Sequence, residues 1–212
     1  MKISLTLLEN NADISNKILK ALLPEVTKYM DSSINAVKLE LPGIIRQSLI
    51  NSPEYNSIIS GELRYEFGIP DPGAKLAGLL DIWSSNIQYS YIKPTINNNQ
   101  IRSSFSANTI RADYADVLYT DYALVIDSMR GYSLPWLEWL LLEGNKTIIS
   151  KYEVVLGSNK FSRTGNALMK PSNKSWKVPS IYSGTASDNW ITRAIDNASD
   201  QINNLLNKAF QS

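Results

Sequence analysis

The eleven residues Leu134-Pro135-Trp136-Leu137-Glu138-Trp139-Leu140-Leu141-Leu142-Glu143-Gly144 constrain this chain more than any other stretch. They hold two tryptophans and five leucines, too apolar for a helix lying in water. A bilayer span needs about 20 apolar residues, so the segment is also too short to cross a membrane. Pro135 suits a first helical turn and Gly144 a helix stop, which predicts a short helix over Leu134 to Leu142. It is buried either in its own subunit or against a partner.

The chemistry open to the rest of the chain is narrow. There is no cysteine and no histidine, which removes thiolate nucleophiles, imidazole bases, disulfides and the commonest transition-metal ligands together. The expectation is a protein that is not an enzyme and has no cofactor and no metal. Its 21 basic and 20 acidic residues leave a net charge of +1, so no global field draws it to nucleic acid or to an anionic membrane. The N-terminus, Met1-Lys2-Ile3-Ser4-Leu5-Thr6-Leu7-Leu8-Glu9-Asn10, lacks the long apolar core of a signal peptide, which points to assembly in the cytoplasm and no membrane partner.

At 212 residues the chain reads as a single α+β domain, 1–212, with 1–60 as a helical N-terminal arm or subdomain. Ile14, Ile18, Leu19, Leu22 and Leu23 recur at helical spacing, Pro24 kinks the pattern or opens a further turn, and a second helical pattern from about Ser33 is interrupted by Pro42-Gly43. Ser52-Pro53-Glu54 starts another helix, Pro70-Asp71-Pro72-Gly73 is turn chemistry, and Ala74 to Trp83 reads as a short apolar helix. Ile87, Tyr89 and Tyr91 then alternate as a strand ending at Pro94, which pairs across Asn97-Asn98-Asn99 with a strand from Ile101 to Ala107. Tyr114 to Ile126 reads as the central strand, Tyr152 to Leu156 as another, and Ala167 to Met169 and Ser175 to Val178 as two more joined by a turn over Lys170 to Lys174. A long closing helix begins at Thr185 with Asp188 completing a capping box, and its apolar face is Ile191, Ile195, Ala198, Ile202, Leu205 and Phe210. The sum is N-terminal helices, a mostly antiparallel sheet with one short buried helix, and a long C-terminal helix.

Chemical constellations are few. Glu138 and Glu143 lie five apart, about 140° from alignment on a helix, and read as polar-face carboxylates rather than as an acid and base. Asp113, Asp116, Asp121 and Asp127 lack the spacing of a calcium loop, and Gly61, Gly68, Gly73 and Gly78 lack the order of a phosphate-binding loop. From Val154 to Ser187 there is no acid, while Lys160, Arg163, Lys170, Lys174 and Lys177 form a candidate basic patch for phosphates or for an acidic protein face. Trp136, Trp139, Trp176 and Trp190, with Arg163 and Arg193, are candidates for a subunit or partner interface, where tryptophan and arginine are over-represented among energetic hot spots. Filling of the subunit's own core is the other reading of the tryptophans.

Three segments carry a resemblance: Leu134 to Gly144; Ser162-Arg163-Thr164-Gly165 leading to Met169; and Trp176-Lys177-Val178-Pro179 with Gly184-Thr185-Ala186 and Asp188-Asn189-Trp190-Ile191-Thr192-Arg193-Ala194-Ile195. A weaker echo is Ser60-Gly61-Glu62-Leu63-Arg64-Tyr65-Glu66-Phe67-Gly68. Together they resemble the neck, or head-to-tail joining and tail-completion, proteins of tailed bacteriophages. The resemblance implies a virion structural protein, a homo-oligomeric ring of six or twelve copies between the DNA-filled head and the tail. Its neighbours would be portal or adaptor proteins on one side and tail-terminator or tail proteins on the other, with double-stranded DNA passing through transiently. It supplies no catalytic residues. The alternative reading from the residues is a carbohydrate-binding or adhesin-type virion module using surface tryptophan and tyrosine.

Overall fold

A computed structural model of the chain describes residues 10–108, 114–127 and 131–211. The architecture is α+β, as the sequence predicts, and it opens with one helix of 40 residues, α1 (Asn11–Ile50). This helix runs through Pro24 and through Pro42-Gly43, where breaks were expected. A proline removes one hydrogen bond from the ladder, but it does not erase the apolar spacing on either side. Ile34, Val37, Leu41, Ile45 and Leu49 recur every three or four residues and are all buried, so packing holds the helix across Pro42.

The chain divides into two compact units. The first takes the chain up to Glu40, Gln88–Asn108 and the last residues from Asn204. It contains strands β1 (Gln88–Asn97) and β2 (Gln100–Asn108), an antiparallel hairpin closed by Asn98 and Asn99 at φ +49° and +56°. Two consecutive positive φ values are what a tight two-residue hairpin turn requires, and asparagine tolerates them. β1 does not stop at Pro94: the register shifts between Ile92 and Thr95, and the proline sits in that irregularity, where its missing N–H breaks no regular pair. Tyr89 stacks on Phe105 at 6.2 Å, and Phe105 meets Phe210 at 6.3 Å.

The second unit comprises Leu41–Ile87 and Thr109–Asn203. Here α2 (Pro53–Ile59), α3 (Glu62–Phe67) and α4 (Pro72–Ser85) follow one another with short caps. Ser52 accepts from Tyr55 N, Asp71 accepts from Ala74 N, and Gly68 ends α3 at φ +68°. The expected central strand is absent. Tyr114 to Ile126 instead forms α5 (Ala115–Leu118), a 3-10 turn (Asp121–Ala123) and the short β3 (Val125–Asp127). Its buried residues explain why: Tyr114, Val117 and Leu118 are spaced for one helical turn, not for alternation.

β3 pairs with β4 (Tyr132–Leu134), and α6 (Trp136–Leu141) follows at once, with Pro135 just before it making no side-chain cap bond and Gly144 at φ +63° after its end. β5 (Ile149–Leu156) pairs with β6 (Ala167–Trp176), one strand where two strands and a turn were expected. Ser150 faces Ser175 and Tyr152 faces Pro171, so Ser172, Asn173 and Lys174 bulge opposite Lys151 alone. The strands therefore form three separate two-stranded ladders among the described residues, not a single sheet.

α7 (Trp190–Asn197) starts five residues later than expected. Asn189 is the cap: its side chain accepts from Ile191 N and Thr192 N, and Thr192 closes the capping box. Thr185 and Asp188 do bond one another, but they form the turn before the helix. α8 (Ser199–Phe210) then follows after Ala198.

The core of the second unit is aromatic. Trp83 meets Trp190 edge-on at 5.2 Å, while Phe67 packs against Trp136 at 6.1 Å and against Trp176 at 5.7 Å. One glycine fixes how closely α6 approaches the segment before α7: Gly184 donates to Trp139 O at 2.8 Å and accepts from Gly144 N at 2.8 Å. A Cβ there would land on the Leu140 carbonyl and come within 2.7 Å of Asn189 Cβ. Gly184→Ala is expected to cost about 1–3 kcal/mol by forcing two backbone segments apart, read as a lower urea midpoint at unchanged slope. A neutral substitution would mean that this approach is not tight.

Candidate functional site

A cleft of about 350 Å³ lies in the second unit. α3 contributes Tyr65, Glu66 and Phe67 to it, followed by Gly68; β4 gives Leu134, β5 gives Val154, and β6 gives Met169 and Trp176. The loop between β5 and β6 adds Phe161, Ser162 and Arg163 at the edge. Each of the segments on which the resemblance rests therefore sends a residue to this one place, including the weaker echo at Ser60 to Gly68.

Local folding accounts for the positions. Leu63 and Phe67 face the core from α3, and Glu66, one residue before Phe67, is carried partly under the surface with them. The left-handed turn at Gly68 lets the Arg163 guanidinium lie over the backbone, 3.5 Å from where a Cβ would be. Arg163 also donates from Nη2 to the Tyr132 hydroxyl at 3.3 Å.

Glu66 is the unusual group. Burial, with the neighbouring Glu62 carboxylate adding to it, raises its carboxyl from 4.5 to about 7. The Trp176 indole N–H is near enough to offset part of that shift but does not reach hydrogen-bonding geometry. Glu66 Oε2 and Trp176 Nε1 are thus both buried with no hydrogen-bond partner among the described residues.

The raised value sets a pH dependence. The folded state holds a proton on Glu66 that the unfolded chain releases near 4.5, so the stabilisation from this group is full below that pH and is lost as pH rises through about 7. After allowance for solvent screening, the unaltered protein should lose about 1–2 kcal/mol between pH 4.5 and 7.5 that Glu66→Gln does not lose. Urea unfolding of both proteins across that range measures it; parallel curves would contradict the burial argument.

The sequence-predicted residues fall into distinct places. Trp136 and Trp190 are fully buried, and Trp176 is 6% exposed. Trp139 is half-buried. Trp136 Nε1 donates to Tyr122 O at 3.1 Å, and Trp190 Nε1 donates to Ser52 Oγ at 2.6 Å. Arg193 is engaged inside the unit with Glu54 and Asp188. Arg163 alone of the two arginines reaches the cleft.

The basic patch is less basic than the sequence implies. Lys174 pairs with Glu153 at 2.8 Å, and that acid lies one residue before the stretch that has none. This pairing raises the Lys174 ammonium. Lys160 sits over the Phe161 ring at 5.1 Å, and Lys170 and Lys177 are exposed. Of the four aspartates weighed for a metal, Asp113 lies outside the described residues, and no acidic cluster fit for a metal occurs among the residues described. Burial, with Glu143 contributing, raises Glu138, while Glu143 pairs with Lys146 at 2.6 Å.

Glu66, Tyr65 and Tyr132 were not singled out from the sequence. A signal was present in the pair Glu62 and Glu66, four apart in a short helix, because like charges at that spacing are unfavourable unless one of them is neutral. No described helix is long and apolar enough to cross a membrane. Compared with protein-family models, with curated proteins and with solved structures, the chain matches none.

Proposed function

We propose that this chain is a non-enzymatic structural subunit of a tailed-phage neck. Copies of it form a ring of six or twelve between portal or adaptor and tail-terminator or tail proteins, located in the virion after assembly in the host cytoplasm. The observation that carries this reading is the convergence of the resembling segments. Residues far apart in sequence, among them Glu66, Leu134, Arg163, Met169 and Trp176, line one cleft, as expected if the pattern belongs to one folded and partner-facing unit. A net charge of +1 also suits a channel component through which DNA slides without being gripped. Apolar side chains that neighbours would cover are present as well, with Leu39, Tyr119 and Phe161 at least 80% exposed.

The alternative, a carbohydrate-binding or adhesin-type module, would have to rest on exposed tyrosines such as Tyr119, Tyr122 and Tyr132, since four of the five tryptophans are buried and Trp139 is half-buried.

Electron microscopy of particles made with and without the chain tests the proposal. Without it, filled heads and finished tails should accumulate apart, and labelled protein should localise to the junction. Joined infectious particles made in its absence would refute it.

A further inference from the structure

The outer face of α1 has the pattern of a helix that packs on another helix. Ile18, Leu22, Glu25, Tyr29, Ser32, Ala36 and Leu39 follow one another at alternating steps of four and three residues, the seam spacing of a coiled coil. None of the seven is buried, and Leu39 is 82% exposed. The first unit packs on a different side of the helix, where Ile34 and Val37 are buried and Lys38 reaches over the Tyr89 ring of β1 at 5.4 Å. Beside the seam, a groove of about 310 Å³ opens between Ser32, Ser33 and Ala36 of α1 and Leu205 and Ala209 of α8.

We propose that two copies of the chain associate in the free protein through antiparallel α1 helices, each covering the other's outer face. The seam is complementary to its own reverse. With the two-fold axis level with Thr27, Ile18 falls opposite Ala36, Leu22 opposite Ser32 and Leu39 opposite Ser15, so every large aliphatic residue meets a small one. The large residues of one copy's first turns thus fill the groove that the other copy leaves at Ser32 and Ala36. Near the axis Glu25 of each copy comes beside Lys28 of the other, an opposite-charge contact made twice. Parallel pairing would instead set Leu22 on Leu22, Ser32 on Ser32 and Glu25 on Glu25, leaving the groove unfilled and opposing like charges. Self-complementarity of the antiparallel kind is what an isologous interface requires, and it favours a second copy over an unrelated partner. Such a contact closes at two copies, so the pairing belongs to the chain before it enters any ring. It stands apart from the neck reading, and its test involves no particles.

Sedimentation equilibrium of the full-length chain should show a reversible species of twice its 23.7 kDa, with a Kd of about 1–100 μM. Leu22→Lys, checked for folding by circular dichroism, should weaken association at least about tenfold by placing a charge in the apolar seam. Glu25→Lys and Lys28→Glu should each weaken it at least about threefold, and the double variant should recover most of that loss. Orientation is read by cross-linking, since the chain has no cysteine of its own. Leu22→Cys and Ser32→Cys proteins, mixed and oxidised, should form a disulfide-linked pair. Either alone should not, because its two introduced thiols lie about 15 Å apart along the helices and a disulfide needs Cα atoms within about 7 Å. A chain that stays monomeric up to about 500 μM, association unchanged by Leu22→Lys, or cross-linking of each cysteine variant with itself and not with the other would overturn the proposal. Assembly straight to six or more copies with no two-copy species would overturn it as well. Should Leu22→Lys fail to fold, the charge exchange at Glu25 and Lys28, both on the surface, decides in its place.

Discussion

Arg193→Ala should destabilise the second unit by about 3–5 kcal/mol, the cost of leaving a buried charge without its partner. Glu54 is 2% exposed, and its Oε1 accepts from Arg193 Nε at 3.0 Å and Nη2 at 2.8 Å. The same guanidinium reaches Asp188 Oδ1 at 2.9 Å and the Tyr182 and Ser183 carbonyls at 3.3–3.4 Å. Truncation therefore strands a carboxylate and loosens the turn that delivers α7. Arg193→Lys should recover little, because one ammonium cannot span a carboxylate on one side and two carbonyls on the other. Adding Glu54→Gln to Arg193→Ala should restore part of the loss, since a neutral amide is cheaper to leave in the core. Urea unfolding of the unaltered protein, Arg193→Ala, Glu54→Gln and the double variant measures the cycle. A loss under about 1 kcal/mol in Arg193→Ala would mean that the pair is solvated and behaves as a surface salt bridge.

Trp190→Ala should also cost about 3–5 kcal/mol. Its ring is fully buried against Trp83, and its indole N–H holds the Ser52 hydroxyl, which in turn caps α2 and donates to Leu49 O. The loss is thus a cavity plus an unsettled helix start. Trp190→Phe separates the two: it keeps most of the ring volume and removes the hydrogen bond, and should cost about 1–2 kcal/mol. If Phe proved as damaging as Ala, the hydrogen bond rather than the volume would be the main term. Both variants bear on the ring proposal, because a residue wholly committed to its own core is not available as a hot spot for a neighbour.

The sequence reading succeeded where a local signal and the final packing agree. Ser52-Pro53, Asn98-Asn99 and Pro135 through Gly144 each carry chemistry that acts within a few residues, and each produced the expected start, turn or stop. It failed where distant contacts decide. Pro42 and Gly43 look like a break until Leu41 and Ile45 are seen to be buried on either side. Tyr114 to Ile126 looks like a strand from its composition, yet Asn189, 75 positions away, holds the Tyr114 hydroxyl at 2.8 Å while that stretch winds into a turn of helix. The cleft was half legible for the same reason. Arg163 and Trp176 stood out by residue type, whereas Glu66 matters chiefly because of what buries it, and its spacing from Glu62 within α3 shows only the smaller, like-charge part of that effect.

The pairings of Ser52 and Glu54 also set an order of events during synthesis. Their partners, Trp190 and Arg193, lie 138 and 139 positions downstream, so a nascent chain emerging from the ribosome cannot close this core until those residues have been translated. At about 5–20 residues per second that wait is about 7–28 s. Throughout it Glu54 stays hydrated and Ser52 lacks its indole, and any surface that needs the finished unit is withheld from neighbouring molecules until Arg193 has emerged.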